Sequence, residues 1–509
     1  MPEELIIPTL TGIVLYSVLV LVVGWLAYRR TQKTVEDYFI ASRTIGSFVI
    51  TWGYIAAIFS ALVLMGVWGL VYSYGVGGYM YAVMNAWTGI LIIYLQYRMW
   101  LAGKAFGHVT PGDLLAERYQ APELRWIIAL FILIFASPFY ISIQMIGLGY
   151  IFEVTGLPYT YGLLATVIIV LVYLTIGGFR AHVWTNVVQG IWFYAVLIAG
   201  AYLIISGAGG WDKVVTNMES ISPRHLTITG PAVMFWVTAV VSIFSNIVAP
   251  NLWPKSLAAR DPRVFKFIAV TIPILMALVY IPSLWGGIAA ISLFGGKLPA
   301  GARPDQLFYR ALLAINVPTW FFAAAAVALV AAAMSTVEGF LLIGAQELTV
   351  DIIQKGLRLK LKQSTLTNIG RLIIVLLTLA ALVIAYNPGL QIGLLVVAAW
   401  GIFGIPAPAV LGAFYWRRGT RWGASISIVA GCILTLLAYS IWAPLWPAGW
   451  NAYAIPLLIT WALYFLVSLI TKPPPKEVVD TYMEIGYKAK IPKEIPEILK
   501  PPTEGEPKP

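Results

Sequence analysis

Cysteine is all but missing. The one thiol in 509 residues, Cys432, sits in an apolar run, which rules out an intramolecular disulfide and a cysteine-built metal site. Histidine is nearly as scarce. His108, His182 and His225 stand far apart, at what read as loops or helix ends, and are expected to be solvated or interfacial. Only 11% of residues are charged, against about a quarter in a water-soluble domain, which excludes an ordinary globular enzyme. No G-x-x-x-x-G-K-[ST] loop occurs, so ATP-driven pumping within this chain is not expected.

Apolar residues fill the space that charge leaves: 60% of the chain is hydrophobic, with 20 Trp and a mean hydropathy of +0.84. A spanning helix needs about 20 mainly apolar residues. Such runs recur near 6–27, 47–71, 77–97, 126–151, 160–178, 184–208, 231–250, 267–294, 317–345, 369–386, 389–416, 422–443 and 452–470. The reading is an all-α polytopic membrane protein with about thirteen transmembrane helices. The first run is read as a retained span, because acidic Glu3-Glu4 precede it and Arg29, Arg30 and Lys33 follow.

The net charge of +11 is distributed by side. With the N-terminus outside, twenty-one basic residues fall in inner loops, seven in the tail and five (Lys213, Arg224, Lys297, Arg303, Arg310) outside, accounting for all 33. That is the positive-inside pattern of a cell-membrane protein with a cytoplasmic C-terminus. It also leaves no use for nucleic acid, and it places no Arg or Lys inside a span. Residues 1–471 read as one transmembrane unit. The Pro- and charge-rich stretch 472–509 reads as a disordered cytoplasmic tail, too short for a nucleotide-binding domain.

Within the spans, polar residues are the functional suspects. Ala332, Ser335 and Thr336 share one helical face. Two hydroxyls beside a small residue suit a small hard cation, or they bond back to their own helix. Glu338 is the one deep acid, either bonded to a neighbouring helix or able to carry a proton. The second run (Gly53, Ser60-Ala61, Gly66) and the seventh (Ser242, Ser245, Asn246, Pro250, with Pro254 beyond) look able to break. The seventh stands five helices on from the second, as an inverted five-plus-five repeat over 47–208 and 231–416 requires. A membrane-embedded enzyme needs a metal or nucleophile cluster at one depth, and none is visible.

Four stretches in order resemble the sodium:solute symporter family, the relatives of sodium/proline, sodium/galactose, pantothenate and monocarboxylate symporters. They are Glu36-Asp37-Tyr38-Phe39-Ile40-Ala41-Ser42-Arg43; Phe59-Ser60-Ala61 with Gly66; Gly177-Gly178-Phe179-Arg180-Ala181-His182-Val183-Trp184-Thr185-Asn186-Val187-Val188-Gln189; and Ala332-Ala333-Met334-Ser335-Thr336 with Asp351-Ile352. The resemblance covers about residues 6–470. It implies a LeuT-like inverted repeat with one extra N-terminal and two extra C-terminal helices. It also implies a sodium site from the Ala56, Phe59 and Ala332 carbonyls and the Ser335 and Thr336 hydroxyls. Substrate is then expected beside Ser60, Ala61, Ser242 and Asn246, with Gln144 also lining.

Asn186 stands where relatives usually carry aspartate, Ile58 where they often carry Asp or Asn, and Pro254-Lys255 where they carry a Q-R pair. The first two changes weaken a second ion site, so one cation per cycle is expected. The implied activity is sodium-coupled symport of a small organic solute, a monocarboxylate or an amino acid such as proline, by alternating access. No cofactor and no obligatory protein partner is expected beyond sodium, solute and bilayer. The rival reading is proton coupling through Glu338, with Asn186 as a second coupling position to test.

Overall fold

The computed structural model describes residues 2–29, 35–174, 178–389, 391–447 and 449–500. Arg30, Lys33 and Gly177 of the sequence reading, and the end of the tail from 501, lie outside those residues. The described chain is helical, joined by short turns and one isolated parallel bridge between Ile45 and Ala259. Over the described residues, the apolar runs of the sequence fall on helices or on helices interrupted by breaks. Among the described residues, eight helices are long and apolar enough to cross a membrane. Two more candidate spans are bent pairs, Ser47–Ile58 with Leu62–Gly78 at 53° and Ile392–Gly404 with Ala407–Tyr415 at 43°.

The helix Thr319–Gln346 is the axis of the molecule. Its most apolar window is wholly buried, whereas that of the N-terminal helix is 22% buried. Alanines at 323–326, 328 and 331–333 keep the axis thin, so the helices Pro2–Tyr28, Ser137–Val154, Phe179–Gly207 and Gln363–Ala385 approach it closely.

The first broken helix ends where Phe59 turns extended (φ −90°, ψ 98°) and resumes through a wide π-type turn, Leu62–Gly66. Gly66 is required there by close approach. A Cβ would meet the Gly393 nitrogen at 2.9 Å, and one on Gly393 would meet the Gly66 oxygen at 2.7 Å. Backbone therefore packs on backbone between the first break and the helix Ile392–Gly404. The second broken helix stops at Ala249 (ψ 130°), with Pro250 and Pro254 unable to donate to a continuing helix.

Three expectations need correction. The stretch after 472 is not disordered throughout: Lys476–Lys488 is a helix whose Val478, Tyr482, Met483 and Ile485 are buried. Its apolar side chains recur at helical spacing inside a charged composition, and they dock on Phe106 and Phe414. The histidines are not solvated. His108 meets Glu117 at 3.2 Å, His225 bonds Ser222 and the Tyr72 carbonyl, and His182 lies in the core. Lys255 does not lie in an open loop either; it is fully buried. A fourth feature, the bend at Pro406, was not expected, although Pro406 and Pro408 stand in the run.

Candidate functional site

A helix that stops inside a protein leaves its last carbonyls without intrahelical partners. At the first break those carbonyls are answered from other elements. The Ser335 hydroxyl lies 2.7 Å from the Ala56 carbonyl and 2.8 Å from that of Ala332. Thr336 Oγ1 reaches the Ala332 carbonyl at 3.4 Å. The Asn251 amide donates to the Ala57 carbonyl at 3.4 Å. Two carbonyls and two hydroxyls, all fully buried, thus converge between the first break and the axial helix. Such an all-oxygen set fits a hard monovalent cation, which prefers short oxygen contacts. The extended Phe59 turns its carbonyl out of the same helix end.

Opposite the carbonyls, the Ala61 N–H donates to Gln144 Oε1 at 2.8 Å, and the Leu62 N–H to Ser60 Oγ at 3.3 Å. Ser60, Ala61 and Gln144 are therefore brought together. Ser242 and Asn246 are engaged elsewhere: Ser242 donates to the Ala239 carbonyl and meets Tyr453 at 3.2 Å, and the Asn246 amide donates to Thr88 at 3.4 Å. Aromatic rings line the break. Phe59 packs edge-on against Phe193, Tyr194 and Tyr280. Tyr140, one turn from Gln144, sits 4.9 Å from Phe340 and 5.2 Å from Phe403. Sequence reading missed this wall, because aromatics in an apolar span carry no signal of which face they occupy.

It also missed a buried polar network. Glu338 Oε2 lies 3.0 Å from His182 Nδ1, and Lys255 Nζ lies 3.1 Å from His182 Nε2 and 2.9 Å from the Asn251 carbonyl. Asn186 Nδ2 approaches His182 Nε2 at 3.3 Å, and Thr185 donates to Glu338 Oε2 at 3.5 Å. Of the two coupling positions, Glu338 is thus an acid bonded to a neighbouring helix, and Asn186 belongs to the same cluster.

The two ends of the molecule carry their own charge clusters. At one end, Thr110 caps the helix Pro111–Tyr119 in a capping box with Asp113. Burial pushes the Asp113 carboxyl up, but the Lys355 ammonium and the Arg125 guanidinium more than offset this and hold it well below the usual carboxylate range. Arg43 donates to the His108 carbonyl at 2.8 Å and the Leu257 carbonyl at 3.3 Å, and Arg180 pairs with Asp37 at 2.8 Å. At the other end, Asp305 accepts from the Ile392 N–H at 3.0 Å, and burial pushes its carboxyl up to about 7.

Residues 38–431 match the sequence model of the Sodium:solute symporter family. The chain is 29% identical over 489 residues to the high-affinity proline transporter PutP of Bacillus subtilis (strain 168), covering 91% of this chain and 98% of that one. It is 28% identical over 467 residues to the sodium/pantothenate symporter of Escherichia coli (strain K12), covering 86% and 91%. In three dimensions it is similar to a Na+-coupled sialic acid symporter solved in a substrate-bound outward-open state, with a TM-score of 0.74 at 16% identity over 92% of this chain and 99% of that one. It is also similar to the nucleobase-cation-symport-1 transporter Mhp1 in a closed conformation, with a TM-score of 0.56 at 13% identity over 87% and 97%. These two likenesses bear on the fold alone, which is LeuT-like.

Proposed function

This chain belongs to the sodium:solute symporter family, and from that premise we propose that it carries a small amino acid, proline first among candidates, on sodium held at the first break. It is a multi-pass membrane protein that couples a solute to sodium, and its work is transport rather than catalysis. The observation that carries the proposed ion seat is the approach of Ser335 Oγ to carbonyls of two different helices, Ala56 and Ala332. With Phe59 and Thr336 these supply five oxygens. A sodium ion entering there takes over the hydroxyl contacts and ties the first broken helix to the axial one. An ion drives a cycle only through its different affinity for the two states, and a seat shared by two elements that part is where such a difference arises.

For the solute, the polar edge is Ser60, the Ala61 backbone and Gln144, with the Tyr140, Phe340 and Phe403 rings as the apolar wall. A compact ring with one carboxylate and one ammonium matches that mixture. A monocarboxylate without the ammonium is the second candidate. Ser242 and Asn246 join the site only when the second break moves toward the first. The inverted repeats 47–208 and 231–416 supply that motion.

The chain is further proposed to span thirteen times, N-terminus outside and C-terminus cytoplasmic. Basic residues assigned to the inner side meet other inner-side groups. Arg43 bonds the His108 carbonyl, Arg98 bonds the Gly486 carbonyl, and Arg417 pairs with Asp480. Arg303, assigned outside, pairs with Glu153 in the last turn of the helix Ser137–Val154.

Thermal unfolding of the purified protein against a solute panel, in sodium and in choline, tests the solute and the ion together. A ligand of the folded state raises the midpoint by mass action. Proline is expected to stabilise in sodium and to do little in choline. Equal stabilisation in both salts defeats the reading.

A further inference from the structure

The ion seat does not explain Glu338. A carboxylate buried at membrane depth needs an opposite charge close by, and this one has it in an unusual form. His182 Nε2 faces two donors, Lys255 Nζ at 3.1 Å and Asn186 Nδ2 at 3.3 Å, so the ring proton belongs on Nδ1, 3.0 Å from Glu338 Oε2. The row runs from ammonium through neutral imidazole to carboxylate and carries no net charge. Three elements contribute: the end of the second broken helix, the helix Phe179–Gly207 and the axial helix.

This row abuts the ion seat. Glu338 lies one turn along the axial helix from Ser335, on the same face. Asn251, whose carbonyl takes the Lys255 ammonium, gives its amide to the Ala57 carbonyl, next to that of Ala56. Gly339 and Gly53 border the lysine: a Cβ on either would stand in ordinary contact with it, 3.7 Å from Nζ and 3.7 Å from Cε. Beside the row, Asn186 Oδ1 is buried with no hydrogen-bond partner among the described residues.

We infer that Lys255 is a tethered cation that holds the place of a second coupling ion: its ammonium neutralises Glu338, so the transporter binds one sodium rather than two. Remove the ammonium, and the Glu338 carboxylate with Asn186 Oδ1 becomes a second seat for a small monovalent cation. The inference rests on the Ser335–Thr336 reading of the first seat.

Radioactive sodium bound per full-length protein, counted in detergent without solute, tests it. One equivalent is expected for the unaltered protein, two for Lys255→Gln, and one again for Lys255→Gln/Glu338→Gln. If Lys255→Gln binds no sodium because a buried carboxylate without the ammonium unfolds it, binding restored by the second substitution supports the charge pairing. Lys255→Gln holding at one equivalent, the unaltered protein binding two, or a double variant that restores nothing overturns the inference. Failure of the first seat shows separately, as one equivalent retained in Ser335→Ala/Thr336→Ala.

Discussion

Ser335 bridges two elements, reaching a carbonyl of the first break and one of its own helix. Losing an oxygen contact to a charged partner costs about 1.5–3 kcal/mol, or about ten- to hundredfold in affinity. Ser335→Ala is therefore expected to raise the sodium concentration for half-maximal uptake by about that factor. Thr336→Ala should act in the same direction, while the solute affinity at saturating sodium stays within a few-fold. A sodium titration of uptake reads the difference. Gln144 acts on the other side of the break. Gln144→Ala leaves the buried Ala61 N–H without its acceptor, at a cost of about 1–3 kcal/mol, and should lower the unfolding midpoint in sodium and choline alike. The hydroxyl pair was legible in the sequence because i, i+3, i+4 spacing fixes a shared face. Lys255 and His182 were not. Each stands beside charge or proline that reads as a helix end, and their burial follows from how the helix Phe179–Gly207 and the end of the second broken helix pack against the axial helix.

Breaks decide the elements. Both were legible, because Ser60-Ala61 and Pro250 interrupt otherwise continuous apolar runs. What the sequence did not disclose is which surface each break meets. Gly66 against Gly393 is such a contact, made by two residues with no side chain to mark it. Gly66→Val drives a branched side chain into backbone and should reduce uptake severely, with Gly66→Ala less affected; overpacking of this kind costs about 1–3 kcal/mol. The same helix, Ile392–Gly404, is held at its start by Asp305. The folded protein keeps that carboxyl protonated up to about pH 7, whereas in the unfolded chain it ionises near its ordinary value of 3.8. Its stabilising contribution is thus full below that ordinary value and is lost as pH rises through about 7, with a slope of at most about 1.4 kcal/mol per pH unit. Asp305→Asn, which retains an acceptor for the Ile392 N–H, should flatten that part of the pH profile of the unfolding midpoint.

For the whole molecule, fold class and the order of apolar runs came from composition and hydropathy, since a membrane leaves few alternatives to helices. The C-terminal helix escaped because a short amphipathic segment among prolines and charges resembles a solvated tail until its partners are known. Tyr482, fully buried between Phe106 and Phe414, marks its docking. Tyr482→Ala should destabilise by about 3–5 kcal/mol, the range for large aromatic deletions, measured as a lowered unfolding midpoint with sodium specificity intact. For the molecule as a whole, the proposal is that a sodium gradient acts through Ser335 and Thr336 to move a solute. Uptake of proline into proteoliposomes under an imposed sodium or proton gradient tests it most directly, with the unaltered protein beside Ser335→Ala/Thr336→Ala. Accumulation driven by sodium and lost in the double variant is the expected result. Accumulation driven equally by protons in choline, or sodium dependence surviving the double substitution, would contradict it.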